Sequence, residues 1–138
     1  MLGYGYTDAH ITQDLDPRRV GARTQNVPRH NGNLWTRYDV AGGALRGLGF
    51  GLGLVYSGER AGTLPASNST LPVLSLPSYF RIDAGLYYVA RRYELTARVV
   101  NLRDEFYYES SSALGGANQL QLRPGAPRAA TLSLRCKF

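Results

Sequence analysis

The stretch GLGFGLGLVY, Gly47 to Tyr56, decides the fold. Glycine takes every second place at Gly47, Gly49, Gly51 and Gly53, and Leu48, Phe50, Leu52 and Leu54 stand between. Successive side chains of a strand point to opposite faces. This segment therefore predicts a strand with one bulky apolar face and one bare face. The same period of two recurs downstream. Phe80, Ile82, Ala84, Leu86 and Tyr88 alternate with Arg81, Asp83, Gly85 and Tyr87. Ala130, Leu132, Leu134, Cys136 and Phe138 alternate with Thr131, Ser133, Arg135 and Lys137. The apolar faces of all three strands are free of charge. An Arg or Lys facing lipid at mid-bilayer costs about 2–4 kcal/mol, so the pattern fits a wall between hydrocarbon and a lumen. The glycines then face the interior, where backbone or a plug packs closely.

Outward from that strand, period-two alternation predicts six strands and no long helix. They run over about Leu2–Thr12, Arg29–Val40, Leu45–Gly58, Ser78–Ala90, Tyr93–Tyr108 and Pro127–Phe138. Each has ten or more residues, against about 5–6 for soluble strands and about 9–11 for strands that cross a bilayer at a tilt. In the fifth, Tyr93, Leu95, Ala97 and Val99 share a face on which Asn101 then falls, so a register change by a bulge is expected near Val100 and Leu102. The connections alternate long, short, long, short, long. QDLDPRRVGARTQNVP, RAGTLPASNSTLPVLSLP and ESSSALGGANQLQLRPG are the long ones, and AGGA and RR the short ones. Segregated loop lengths are the mark of an up-and-down transmembrane β-barrel.

Composition narrows the function classes. The 138 residues carry a net charge of +6 and 43% hydrophobic residues. The basic residues, 15 of 16 of them Arg, are scattered rather than clustered, which argues against nucleic acid as a partner. The single cysteine, Cys136, excludes an internal disulfide and a cysteine metal cluster. No run of about 20 apolar residues is present, so no transmembrane helix is expected. The opening MLGYGYTDAH lacks the charged and apolar regions of a signal peptide.

No catalytic constellation is found. His10 and His30 stand in no metal-binding spacing, and Ser57 lies outside a nucleophile elbow. Asp14 and Asp16 lack the glycine and glutamate of a calcium loop. GLGFGLG is not followed by a helix, which a nucleotide loop requires. The sequence predicts neither an enzyme nor a bound cofactor or metal.

Aromatic residues fall near strand ends, as in the two girdles of a membrane barrel. Tyr4, Tyr6, Tyr38, Tyr88, Tyr93 and Phe138 are placed on the short-turn side. Tyr56, Tyr79, Phe80, Phe106, Tyr107 and Tyr108 are placed on the long-loop side.

Six motifs then stand in order: GYGYTDAHIT, NVPRHNGNLWTRYD, LVYSGERAG, LPSYFRIDAGLYY, VVNLRDEFYYESS and PGAPRAATLSLRCKF. Together they resemble the C-terminal end of TonB-dependent siderophore receptors, over nearly the whole chain. Arg103, where the family has Phe, and Cys136, where an aromatic is common, depart from it. The resemblance implies an all-β, antiparallel meander over residues 1–138, the last six strands of a barrel of about 22 strands with a plugged lumen. The plug, the TonB-contacting box and the signal sequence would precede Met1, and the chain alone is expected to be inactive. It implies a Gram-negative outer membrane, and as partners membrane lipid, the barrel-assembly machinery, the TonB complex and a ferric siderophore as transported ligand. It further implies that Leu132, Leu134 and Phe138 form the assembly signal. Tyr79, Tyr107 and Tyr108 become ligand-contact candidates, since phenols offer stacking surface and a hydroxyl. Asn101, Asp104, Arg81 and Asp83 are expected either in a polar lumen network against the plug or as solvated lining of the lumen. Two alternatives stay open: a small pore closed by oligomerisation, and a soluble β-sandwich binding module.

Overall fold

The computed structural model describes residues 1–66, 73–114 and 119–137. Among the described residues ten strands appear in chain order: β1 (Leu2–Tyr6), β2 (His30–Asp39), β3 (Leu48–Ser57), β4 (Arg60–Ala61), β5 (Ser75–Leu76), β6 (Tyr79–Val89), β7 (Tyr93–Val100), β8 (Tyr108–Leu114), β9 (Gln119–Pro124) and β10 (Ala129–Cys136). Six of them form one antiparallel sheet in the order β1-β2-β3-β6-β7-β10. These six are the expected meander. The remaining four pair as hairpins, β4 with β5 and β8 with β9, within two of the long loops.

Registry aligns the alternating apolar positions in rows on one face. Tyr38, Phe50, Leu86, Ala97 and Leu132 form one row across five strands, and Thr36, Leu52, Ala84, Val99 and Ala130 form the next. Leu2, Leu34, Leu54 and Ile82 form a third row. This face lies open: Phe50 is 50% exposed and Leu132 72%. A β-sandwich would cover such a face with a second sheet, whereas a bilayer covers it with lipid. No helix among the described residues is long and apolar enough to cross a membrane.

The opposite face explains the glycines. A methyl group placed at Gly53 would lie 2.6 Å from the Trp35 ring, and one at Gly51 would lie 2.9 Å from it. At Gly49 it would meet Asp39 and Tyr87. The bare face of β3 is thus a trough holding Trp35 from β2 and Tyr87 from β6. The close approach comes from neighbouring side chains of the wall itself, where the sequence suggested backbone or a plug.

Two expected strands are shorter. The first stops at Tyr6, not Thr12. The Thr7 amide makes one further bond to the Arg29 carbonyl, and Asp8 then turns to the Arg29 guanidinium at 3.2 Å. The fifth stops at Val100, not Tyr108. No bulge carries the chain onward. Asn101 and Asp104 adopt left-handed φ values of 52° and 54°, a conformation Asn and Asp tolerate better than most residues.

Candidate functional site

The inner face is polar and internally paired. Arg37 binds Asp39 at 2.8 Å and lies 4.0 Å over the Tyr87 ring. Arg98 lies 5.3 Å from the Trp35 ring, beside a cavity of about 210 Å³ that Asp83 and Val100 also line. Such cation–π contacts contribute on the order of 0.5–1 kcal/mol when exposed and more when water is excluded.

Toward the long loops the polar groups converge. Arg81 and Asp83, two residues apart on β6, share the inner face and pair at 3.0 Å. Asp83 Oδ1 accepts the Asn101 amide at 2.9 Å, while the Arg81 guanidinium donates to the Tyr107 hydroxyl at 3.2 Å. Asn101 is fully buried, and its side-chain amide donates to the carbonyls of Glu105 and Ala126 and accepts the Glu105 amide. This one side chain closes the turn after β7 and ties it to the approach to β10. Asp104 points elsewhere and accepts the Arg128 amide at 2.8 Å. Three of the four residues expected in a lumen network therefore connect directly, and Asp104 serves the neighbouring turn.

Tyr79 and Tyr107 come together. Their rings stack at 4.2 Å with an interplanar angle of 28°. Tyr107 is only 4% exposed and lies over Gly125, where a Cβ would overlap its ring. Tyr79 is half-buried, with the Arg60 guanidinium 5.6 Å from its ring. Tyr108 does not join the pair and meets Phe106 edge-on at 5.1 Å. Of this cluster Tyr107 and Arg60 are buried, and Tyr79 is the half-exposed member. Among the described residues, no group of three or more His, Cys, Asp or Glu side chains is placed to hold a metal ion.

The aromatic residues of the apolar face form two bands. Tyr38, Tyr88 and Tyr93 lie near the short turns, with the Tyr88 and Tyr93 rings 5.8 Å apart. Tyr56 and Phe80 lie near the long loops. Tyr4 and Tyr6 belong to this second band, not to the short-turn side: Tyr4 pairs with Gly32 and Tyr6 with His30, and the Tyr4 hydroxyl meets His30 Nδ1 at 2.8 Å. The early end of β1 puts them at its loop end. From the Leu48 row to the Tyr56 row a strand advances about 27 Å, or roughly 20 Å along the normal at a tilt of ~40°. Leu132 and Leu134 lie on the apolar face of β10; Phe138 lies outside the described residues.

Sequence reasoning passed over Gln25, Asn26, Arg60 and Ser111, which bind the long loops together. Asn26 and Ser111 sit in polar runs whose pattern carries no periodicity. Arg60 is visible only as the last residue of YSGER, and nothing in that motif announces that it is 2% exposed.

Residues 1–102 match the family model described as TonB-dependent receptor-like, beta-barrel. The metal-pseudopaline receptor CntO of Pseudomonas aeruginosa is 37% identical over 136 residues, covering 98% of this chain and 18% of that protein. The probable TonB-dependent siderophore receptor PiuA of Acinetobacter baumannii is 29% identical over 147 residues, again 18% of its length. The crystal structure of the siderophore receptor PiuA from Acinetobacter baumannii superposes with a TM-score of 0.76 at 26% identity, covering 99% of this chain and 19% of that one. The ferric-catecholate import receptor Fiu of E. coli K12, in its closed form, gives 0.73 at 26% identity, covering 97% and 18%. The chain thus spans about a fifth of the length of the relatives it matches.

Proposed function

Because the chain belongs to the TonB-dependent receptor-like β-barrel family, we propose that its six wall strands form one arc of an outer-membrane barrel that imports a ferric siderophore. In the sheet order β1 and β10 are edges, and open edges are not tolerated in hydrocarbon. Further strands of a complete receptor close the barrel on both sides. The complete receptor takes its energy from TonB through parts outside this chain, and it makes and breaks no covalent bond. Partners of the segment are membrane lipid on the apolar face and the assembly machinery at Leu132, Leu134 and Phe138. Tyr79 and Tyr108 contact the ligand at the rim, and Tyr107 backs Tyr79 from below.

The observation that carries this reading is the division of the sheet into an open apolar face and a paired polar face, in a chain that superposes on siderophore receptors along nearly its whole length. A second reading has its own support: the 37% identity to a metal-pseudopaline receptor favours as cargo a metal chelate that is not restricted to iron. Uptake of radiolabelled iron and zinc chelates by cells with and without the complete receptor separates the two. Receptor- and TonB-dependent uptake of iron alone supports the first, and of zinc, with or without iron, the second. Uptake unchanged by deletion of either gene, for every chelate, refutes both.

A further inference from the structure

The described parts of the three long loops, 7–29, 58–66 with 73–78, and 101–114 with 119–128, meet at one node of side chains that includes Arg60 beside the Tyr79 ring. The Asn26 amide nitrogen donates to the Ala61 carbonyl at 2.8 Å, joining the first loop to the second. The Asn26 side chain reads both backbone groups of Ser111. Its Nδ2 donates to the Ser111 carbonyl at 2.8 Å, and its Oδ1 accepts the Ser111 amide at 2.9 Å. One side chain thereby does for Ser111 what a neighbouring strand would do. Gln25 donates from one nitrogen to the Gly62 and Ser111 carbonyls at 2.6 and 3.0 Å, and the Ser111 hydroxyl donates to Gly62. Arg60, on the second loop, donates to the Tyr108 and Glu109 carbonyls of the third. Ser111 is 3% exposed and Arg60 2%.

These backbone groups are half-buried, and the Gly62 carbonyl under Ser111 is fully buried; each has its partner on a different loop. A buried polar group left unpaired costs about 1–3 kcal/mol, so withdrawing one loop strands groups on the other two. Segments tied in this way open as one unit. The ligand-facing aromatics are attached to the same node, because Arg60 lies beside the Tyr79 ring and binds the carbonyl next in sequence to Tyr107.

We infer that Asn26 and Arg60 are positioning residues that lock the three long loops into a single cooperative cap and thereby hold the Tyr79–Tyr107 pair in place. The link to ligand rests on the siderophore-receptor reading above; the coupling of the loops does not. Asn26 has φ 62°, which glycine also adopts freely, so Asn26→Gly removes the amide and keeps the backbone.

The test is hydrogen–deuterium exchange on the complete receptor in lipid nanodiscs. Asn26→Gly is expected to raise exchange roughly tenfold at Ser111, at 60–63 and at 74–76 together. Asn26→Asp, which keeps the acceptor and loses the donor, should give a smaller rise in the same segments. Arg60→Met, which keeps the length of the side chain and loses its donors, should repeat the joint pattern. Gln25→Ala serves the same purpose should Asn26→Gly fail to assemble. A rise confined to Ser111, with 60–63 and 74–76 unchanged, overturns the coupling. Binding of ferrioxamine B, ferric enterobactin and ferric citrate supplies the second arm. Weaker binding of a bound chelate by Asn26→Gly supports the positioning role, and equal binding overturns it. Wild-type receptor that binds none of the three counts against the ligand reading, and exchange alone then judges the coupling.

Discussion

The wall and the rim of this molecule are held by different means. In the wall, backbone groups pair strand to strand over long regular ladders, and side chains only have to choose a face. In the rim the hairpins are short, and side chains pair with backbone groups in place of neighbouring strands: Asn26 for Ser111, Asn101 for Glu105 and Ala126, Arg60 for Tyr108 and Glu109. The wall therefore tolerates changes that respect its period of two, whereas the rim depends on individual atoms. The aromatic bands mark where one regime passes into the other.

Substitutions can break this comparison in order of size. A charge on the open face at mid-wall should do the most. Leu52→Arg is expected to cost about 2–4 kcal/mol, seen as loss of heat-modifiable, folded receptor on gels. Tyr56→Arg, at the band, should cost only about 0–1 kcal/mol. Equal losses at both depths would contradict the placement of the bilayer. Next comes the glycine trough. Gly53→Val drives a branched side chain into Trp35 and is expected to destabilise by roughly 1–3 kcal/mol, read by urea unfolding in lipid. Trp35→Leu in the same chain should return part of that loss, since it empties the trough. In the rim, Asn101→Gly keeps the left-handed backbone and deletes three side-chain hydrogen bonds. Its expected cost is about 1–3 kcal/mol, with faster amide exchange over 101–106 and none over β3. The smallest effect belongs to the wall's own surface pair: Arg135 and Glu94 lie 3.8 Å apart with Arg135 77% exposed. Glu94→Gln should shift stability by well under about 1 kcal/mol. A large shift would show that inner-face charges carry more of the wall than the ladders do.

The sequence showed the wall clearly because a half-lipid strand must repeat every two residues over its full length. Gly47–Tyr56, Phe80–Tyr88 and Ala130–Cys136 were legible on that ground alone, as was the segregation of long and short loops. The limits of β1 and β7 were not. A polar residue that ends a strand and one that faces a lumen look alike in sequence, so Thr7–Thr12 and Asn101–Tyr108 read as strand. The side of Tyr4 and Tyr6 followed from the same error. For the rim, the sequence marked Tyr79 and Tyr107 as aromatics near a loop, but not that they stack. It gave no sign of the Asn26–Ser111 node, since contacts between residues 85 apart leave no periodic trace. Gln25, Asn26 and Ser111 are ordinary loop residues until the fold brings them together.

The central claim is that the Leu48–Tyr56 strand separates lipid from a polar interior residue by residue. Nitroxide labels placed one at a time from Gly49 to Val55 test it, in the complete receptor in liposomes with Cys136 replaced by Ser. Power saturation then reports access to oxygen, which concentrates in hydrocarbon, and to a nickel chelate, which stays in water. Oxygen access is expected at Phe50, Leu52 and Leu54, and oxygen exclusion at Gly49, Gly51, Gly53 and Val55. A flat profile along the strand, or nickel access at Phe50, Leu52 and Leu54, would contradict it.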